Sequence, residues 1–180
     1  MLLLEQHPFV EEMVSRWSGE LGSAREPYSG HVYRVLNYAR ALVGSDEHDE
    51  EFALAAAYHD LGIWSDRTFD YLAPSMERAE TLRREAAPGM DADLLRLLIQ
   101  DHHLLRRPRV GVEPGLRDAF RRADLVDVSR GRIRAGLPAT LVRDVVGRFP
   151  YRGFHGTLVG TAVRWALRHP LRPLPMLRLR

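Results

Sequence analysis

The chain contains no cysteine and no lysine among its 180 residues. The first absence excludes disulfides, thiolate metal sites and a cysteine nucleophile. The second excludes Schiff-base chemistry and a phosphate-binding P-loop lysine. All 26 basic residues are therefore arginine, an imprint that GC-rich coding explains without any functional cause. No run of 18 apolar residues occurs, so a membrane-spanning segment is not expected. The opening MLLLEQHPFV lacks the basic start and long apolar stretch of a secretory signal, and a cytoplasmic protein is expected. Net charge is only +2, which gives no reason to expect a partner in duplex nucleic acid.

What is present reads as helix. Hydrophobic residues make up 45% of the chain, enough for one domain with a core. No run of alternating β-branched residues suggests a strand. The pattern predicts helices at about 7–17, 30–43, 50–61, 75–88, 92–106, 114–128, from 138, and at 156–168. Gly19, Gly22 and Pro27 are expected to break the chain after the first helix. Ser29, Asp49, Ser75 and Asp91 are expected to cap those that follow, and Gly62 to end the third. Residues 63–73 read as a loop. The expectation is one all-α domain over 1–180, with the informative motifs between about 28 and 128 and further helices and a tail over 138–180.

Four of these helices carry a polar, metal-competent side chain on an apolar face. His31 shares its face with Val35, Tyr38 and Leu42. His59 lies with Phe52, Ala55 and Ala56; His102 follows Leu95, Leu98 and Ile99; Asp124 follows Leu116 and Phe120. Asp60 sits beside His59 in the stretch AAAYHDLG. One buried histidine is ordinary. A buried carboxylate without a partner is costly, so each aspartate needs a cation or several donors. For Asp124 the neighbouring Arg121 or Arg122 would serve. A divalent ion shared by two imidazoles and two carboxylates would satisfy all four groups at once.

The ordered set His31, His59-Asp60 and Asp124, the last within RRADLVD, resembles the HD-domain superfamily of metal-dependent phosphohydrolases. HDLGIWSDRTFDYLAPS, FRRADLVDVSRG and FPYRGFH look like a small bacterial branch of it. The resemblance implies an HD-type helical bundle in which His31, His59, Asp60 and Asp124 hold one divalent transition metal ion. Such a donor set suits Mn, Fe, Co, Ni or Zn. It further implies hydrolysis of a phosphomonoester or phosphodiester by a metal-activated water, with a nucleotide as first guess for substrate. A second ion is left open by the adjacent pair His102-His103. His102 is a candidate for catalysis, substrate contact or second-ion binding, and His103 for substrate contact. Nucleotidase and alarmone-hydrolase branches often carry a glutamate where this chain has Ile63, so the general acid is unassigned, with Asp66 as candidate beside Asp60. Arg16 (with Trp17), Arg67 and Asp127 are candidates for substrate contact, Asp127 also for positioning water or holding a neighbouring arginine, and Arg121, Arg122 and Arg130 for phosphate. Phe69 and Tyr71 are expected to anchor the loop after the metal pair, and His155 to be solvated. Two rival readings stand: a non-catalytic metal- or nucleotide-binding protein, and a di-iron oxygenase. Oligomeric state is not legible.

Overall fold

Apolar residues at helical spacing fix the architecture, and the computed structural model, which describes residues 2–173, 175 and 176, is all-α. Among the described residues there are ten α-helices, one 3-10 turn and no strand. They are α1 (Pro8–Arg16), α2 (Ser18–Leu21), α3 (Arg25–Val43), α4 (Asp49–Tyr58), α5 (Gly62–Ser65), α6 (Leu72–Ala86), α7 (Ala92–Asp101), α8 (Pro114–Val128), α9 (Ala139–Arg148) and α10 (Phe154–Arg168). Of the expected tail LRPLPMLRLR, positions 174 and 177–180 lie outside the described residues. No described helix is long and apolar enough to cross a membrane.

The longest helix, α3, is buried over most of its circumference, from Tyr28 to Arg40. It packs against α4 and α8, while α7 closes the other side of α4. Phe52 of α4 and Phe120 of α8 are both fully buried, their rings stacked 6.2 Å apart. Each such ring contributes about 1.5–3 kcal/mol by leaving water. The run Ala53, Ala55, Ala56, Ala57 is fully buried and lets α4 approach its neighbours closely on several sides.

Several expected boundaries shift, each for a local reason. Pro27 does not break the chain; it sits in the first turn of α3, where its missing N–H costs nothing. Ser29 therefore lies inside the helix and caps nothing. Asp49 accepts from Arg40 Nε at 2.6 Å instead of capping α4, whose cap position is His48. Gly62 opens the short α5 rather than ending a helix. A Cβ there would stand 2.8 Å from the Tyr71 carbonyl oxygen and 3.2 Å from Pro74, so the close approach of α5 to α6 requires glycine. Ser75 lies within α6, and its Oγ accepts from the Gly62 amide at 3.0 Å. Asp91 does cap α7, accepting from the amides of Asp93 and Leu94. That helix stops at Asp101, short of the expected 106, where the His102 imidazole donates to the Ile99 carbonyl at 2.6 Å.

Candidate metal centre

The α3, α4, α7 and α8 helices converge on a single polar cluster inside this apolar packing. His31 and His59 are fully buried, and Asp60, His102 and Asp124 are each at most 5% exposed. Every imidazole here has its Nδ1 committed. His31 Nδ1 donates to Asp127 Oδ2 at 2.7 Å, His59 Nδ1 to the Ala56 carbonyl at 2.8 Å, and His102 Nδ1 to the Ile99 carbonyl at 2.6 Å. With Nδ1 as donor, each ring aims its Nε2 at the same small volume, as a lone pair wherever the ring is neutral. The last two bonds share one local device. A histidine at the end of an inward-facing helix turns back to the carbonyl three residues earlier, which fixes both tautomer and aim.

Distances test whether the donors fit one ion. His31 Nε2 and His59 Nε2 are 3.0 Å apart. Two nitrogens at right angles on one ion, each about 2.1 Å from it, would be separated by about 3.0 Å. Asp60 Oδ2 lies 3.8 Å from His31 Nε2 and 3.6 Å from His59 Nε2; Asp124 Oδ1 lies 3.8 Å from both. All fall below the about 4.2 Å that ligands on opposite sides of such an ion would show. Asp60 Oδ1, Asp124 Oδ1 and His102 Nε2 are buried polar atoms without a hydrogen-bond partner. Two lone pairs facing each other at 3.0 Å need a cation between or beside them, and a proton or a metal ion serves. The donor set therefore fits a metal ion: His31, His59 and Asp124 form one group that could hold it, and His59, Asp60 and His102 a second.

The electrostatics agree with a site built for positive charge. Burial opposes charge on His59, yet the carboxylates of Asp60 and Asp124 raise its imidazole to about 9. Burial likewise opposes ionisation of Asp60, but His59, His102 and His31 hold its carboxyl well below the usual carboxylate range. Asp124 is lowered against the same burial by His59, His102 and His31.

The remaining candidates separate cleanly. Asp127 does not face open space for a substrate. It is fully buried between His31 and Arg34, whose Nε and NH2 donate to its two oxygens at 2.5 and 3.0 Å. It fixes the ring of His31, and Arg34 in turn donates to the carbonyls of Phe149 and Pro150. Asp66 is exposed and paired with Arg78, so the expectation that it acts as an acid beside Asp60 is overturned by its position on the surface. Arg16 is held by Glu12 and Glu85. Arg67 is exposed in a left-handed turn, φ +52°. Neither arginine joins the cluster. His103 is half-buried, with the Tyr71 hydroxyl on its Nε2, and it forms a third possible ligand group with His102 and Asp124. Burial, then the neighbouring His102, pushes the His103 imidazole down to about 3. Arg121 pairs with Asp118, and Arg122 reaches the Ala135 carbonyl, so neither is the partner of Asp124. Arg130 is exposed. Asp101 pairs with Arg117.

Aromatic side chains cover the cluster. Phe154 stacks on His31 with centroids 4.3 Å apart, and Tyr28, which donates to the Ala57 carbonyl, lies 4.5 Å from Trp64. Phe69 and Tyr71 are buried and anchor the loop after His59-Asp60, as expected. His155 is buried rather than solvated and bonds the Asp127 carbonyl at 2.8 Å. Phe154 lies in RFPYRGFHG, whose aromatics the sequence offers as a cover for the mouth of the cleft. Arg34 and Tyr28 were not legible as parts of the site, although Arg34 lies one helical turn beyond His31 as Asp127 lies one turn beyond Asp124. Compared with protein-family models, curated proteins and solved structures, the chain matches none.

Proposed function

We propose that this protein is an HD-type, metal-dependent phosphohydrolase acting on a phosphomonoester or phosphodiester. The observation that carries the reading is the convergence of three imidazole Nε2 atoms and two partnerless carboxylate oxygens in one buried volume. His31, His59, Asp60 and Asp124 would hold a divalent transition metal ion. When bound, such an ion lowers the pKa of water toward neutrality and polarises a phosphoryl oxygen. The chain's own groups do the rest. Asp127, itself fixed by Arg34, keeps His31 in the tautomer that offers Nε2, and such supporting carboxylates typically matter 10–100-fold to metal affinity. Phe154, Tyr28 and Trp64 exclude bulk water, so each charge at the cluster acts in a low dielectric. His102 faces the reacting volume across Asp60, 3.4 Å from its Oδ1.

A second ion is favoured by one observation. Asp60 turns Oδ2 toward His31 and His59 but Oδ1 toward His102, as a bridging carboxylate would. His102, His103 and Asp124 then complete the second set. Two irons there would make oxygen chemistry available, and metal analysis with an oxygen-dependence assay decides between the two. The test of hydrolysis is turnover of phenyl phosphate and bis(4-nitrophenyl) phosphate by the Mn²⁺-loaded protein, lost on chelation and in His59→Ala and Asp124→Ala. Retention of that activity in both variants overturns the proposal; metal binding without turnover of any ester leaves a non-catalytic binding protein.

A further inference from the structure

A cavity of about 120 Å³ lies beside the cluster, lined by Leu72, Met76, Gln100, His103, Leu104 and Met176 among others. His103 belongs both to this wall and to the ligand group it forms with His102 and Asp124. His103 is thus the shared residue past which the leaving group of a phosphoryl ester held at the cluster would reach this space. For scale, a dry apolar cavity of about 150 Å³ takes up benzene. The space suits one small ring or a branched alkyl group, and a nucleoside would outgrow it. Its two methionines adapt to shape, and the Gln100 amide is the neutral polar contact.

Charge supports the same limit. Among the described residues, no arginine lines the cavity. Asp101, which does, has its carboxylate held by Arg117, and Arg117 is further held by the carbonyls of Val110 and Val112. Arg121, the next along α8, is committed to Asp118 and the Leu104 carbonyl. Among the described residues, nothing in the wall would neutralise the second phosphate of a nucleoside diphosphate.

We infer that the cavity beside His103 is the leaving-group pocket, and that it selects esters of small, uncharged, largely apolar alcohols or phenols over nucleotides. This rests on the phosphohydrolase reading, and its test has an arm that does not. With the methionine methyls ¹³C-labelled, phenol is titrated into the protein. The Met76 and Met176 signals should move together and saturate, while Met13, buried in the main core, stays still. Ala73→Phe, at an exposed lining position in the first turn of α6, should abolish the shift. Met76→Ala should let 1-naphthol shift Met176. Unmoved Met76 and Met176 signals, or shifts unchanged in Ala73→Phe, overturn the pocket. In the second arm the Mn²⁺-loaded protein should turn over phenyl phosphate with a kcat/KM at least about tenfold above a nucleoside 5′-monophosphate. Equal turnover of both overturns the selectivity while leaving hydrolysis standing. Phenol binding with no ester turned over overturns hydrolysis and leaves the pocket standing.

Discussion

Asp127→Ala should be among the most destabilising substitutions in the chain, although Asp127 is not expected to touch metal or substrate. Its carboxylate is fully buried and accepts from Arg34 Nε at 2.5 Å, Arg34 NH2 at 3.0 Å and His31 Nδ1 at 2.7 Å. Truncation leaves the Arg34 guanidinium, also fully buried, with two carbonyls and the Tyr151 ring as company. Removing one partner of a buried ion pair costs about 3–5 kcal/mol. For a chain of this size that lowers Tm by roughly 6 to 20 °C. The double variant Arg34→Met/Asp127→Ala removes the stranded charge and should recover a large part of that loss. Urea denaturation with chelator present isolates this term from metal binding. A second loss is separate: without Asp127, His31 is free to change tautomer, and metal affinity should fall about 10–100-fold in both single and double variants. A cost below about 1 kcal/mol for Asp127→Ala, or a double variant no more stable than the single, would refute the reasoning.

Three other outcomes follow from the geometry. Asp66→Ala breaks the surface pair with Arg78 and an exposed bond from the Ser65 hydroxyl, so it should cost less than about 1 kcal/mol and leave phenyl phosphate turnover unchanged; lost turnover with intact metal content would restore a catalytic role. Gly62→Ala places a methyl 2.8 Å from the Tyr71 carbonyl oxygen and should cost about 1–3 kcal/mol, read as a fall in the urea midpoint. Mn²⁺ or Zn²⁺ at a hundredfold excess over Kd should stabilise the protein by about 2.7 kcal/mol. This would raise Tm by roughly 5 to 11 °C in the wild type and leave His59→Ala and Asp124→Ala unmoved.

The helical class and the residues of the cluster were legible because both are written as periodicity. A polar residue on an apolar stripe marks His31, His59, His102 and Asp124 whatever the tertiary structure. Helix ends were less legible where tertiary contacts decide them. Gly62 reads as a stop, but its role is set by Tyr71 and Pro74 packed against it. Pro27 reads as a break, yet a first helical turn has no use for its missing N–H. Least legible were the arginine partners. Arg34 meets Asp127 across 93 positions of sequence, and Arg117 meets Asp101 across 16. Nothing in local pattern tells one arginine from another, which is why Arg16 and Arg67 were candidates and Arg34 was not. Asp127 does hold an arginine, one of the roles its position offers, but the partner is Arg34 of α3 rather than a neighbour in sequence. The sequence places Asp127 one turn past Asp124, but only the packing of α3 on α8 sets it behind His31 rather than beside the substrate.

If these buried donors share a metal ion, the ion should be visible. Anomalous diffraction from crystals of the protein purified without chelator tests this most directly. The account predicts a peak within about 2.0–2.2 Å of His31 Nε2 and His59 Nε2 and of a carboxylate oxygen from each of Asp60 and Asp124. A folded protein that shows no peak there after soaking in Mn²⁺ and Zn²⁺, with the four side chains in place, would contradict it.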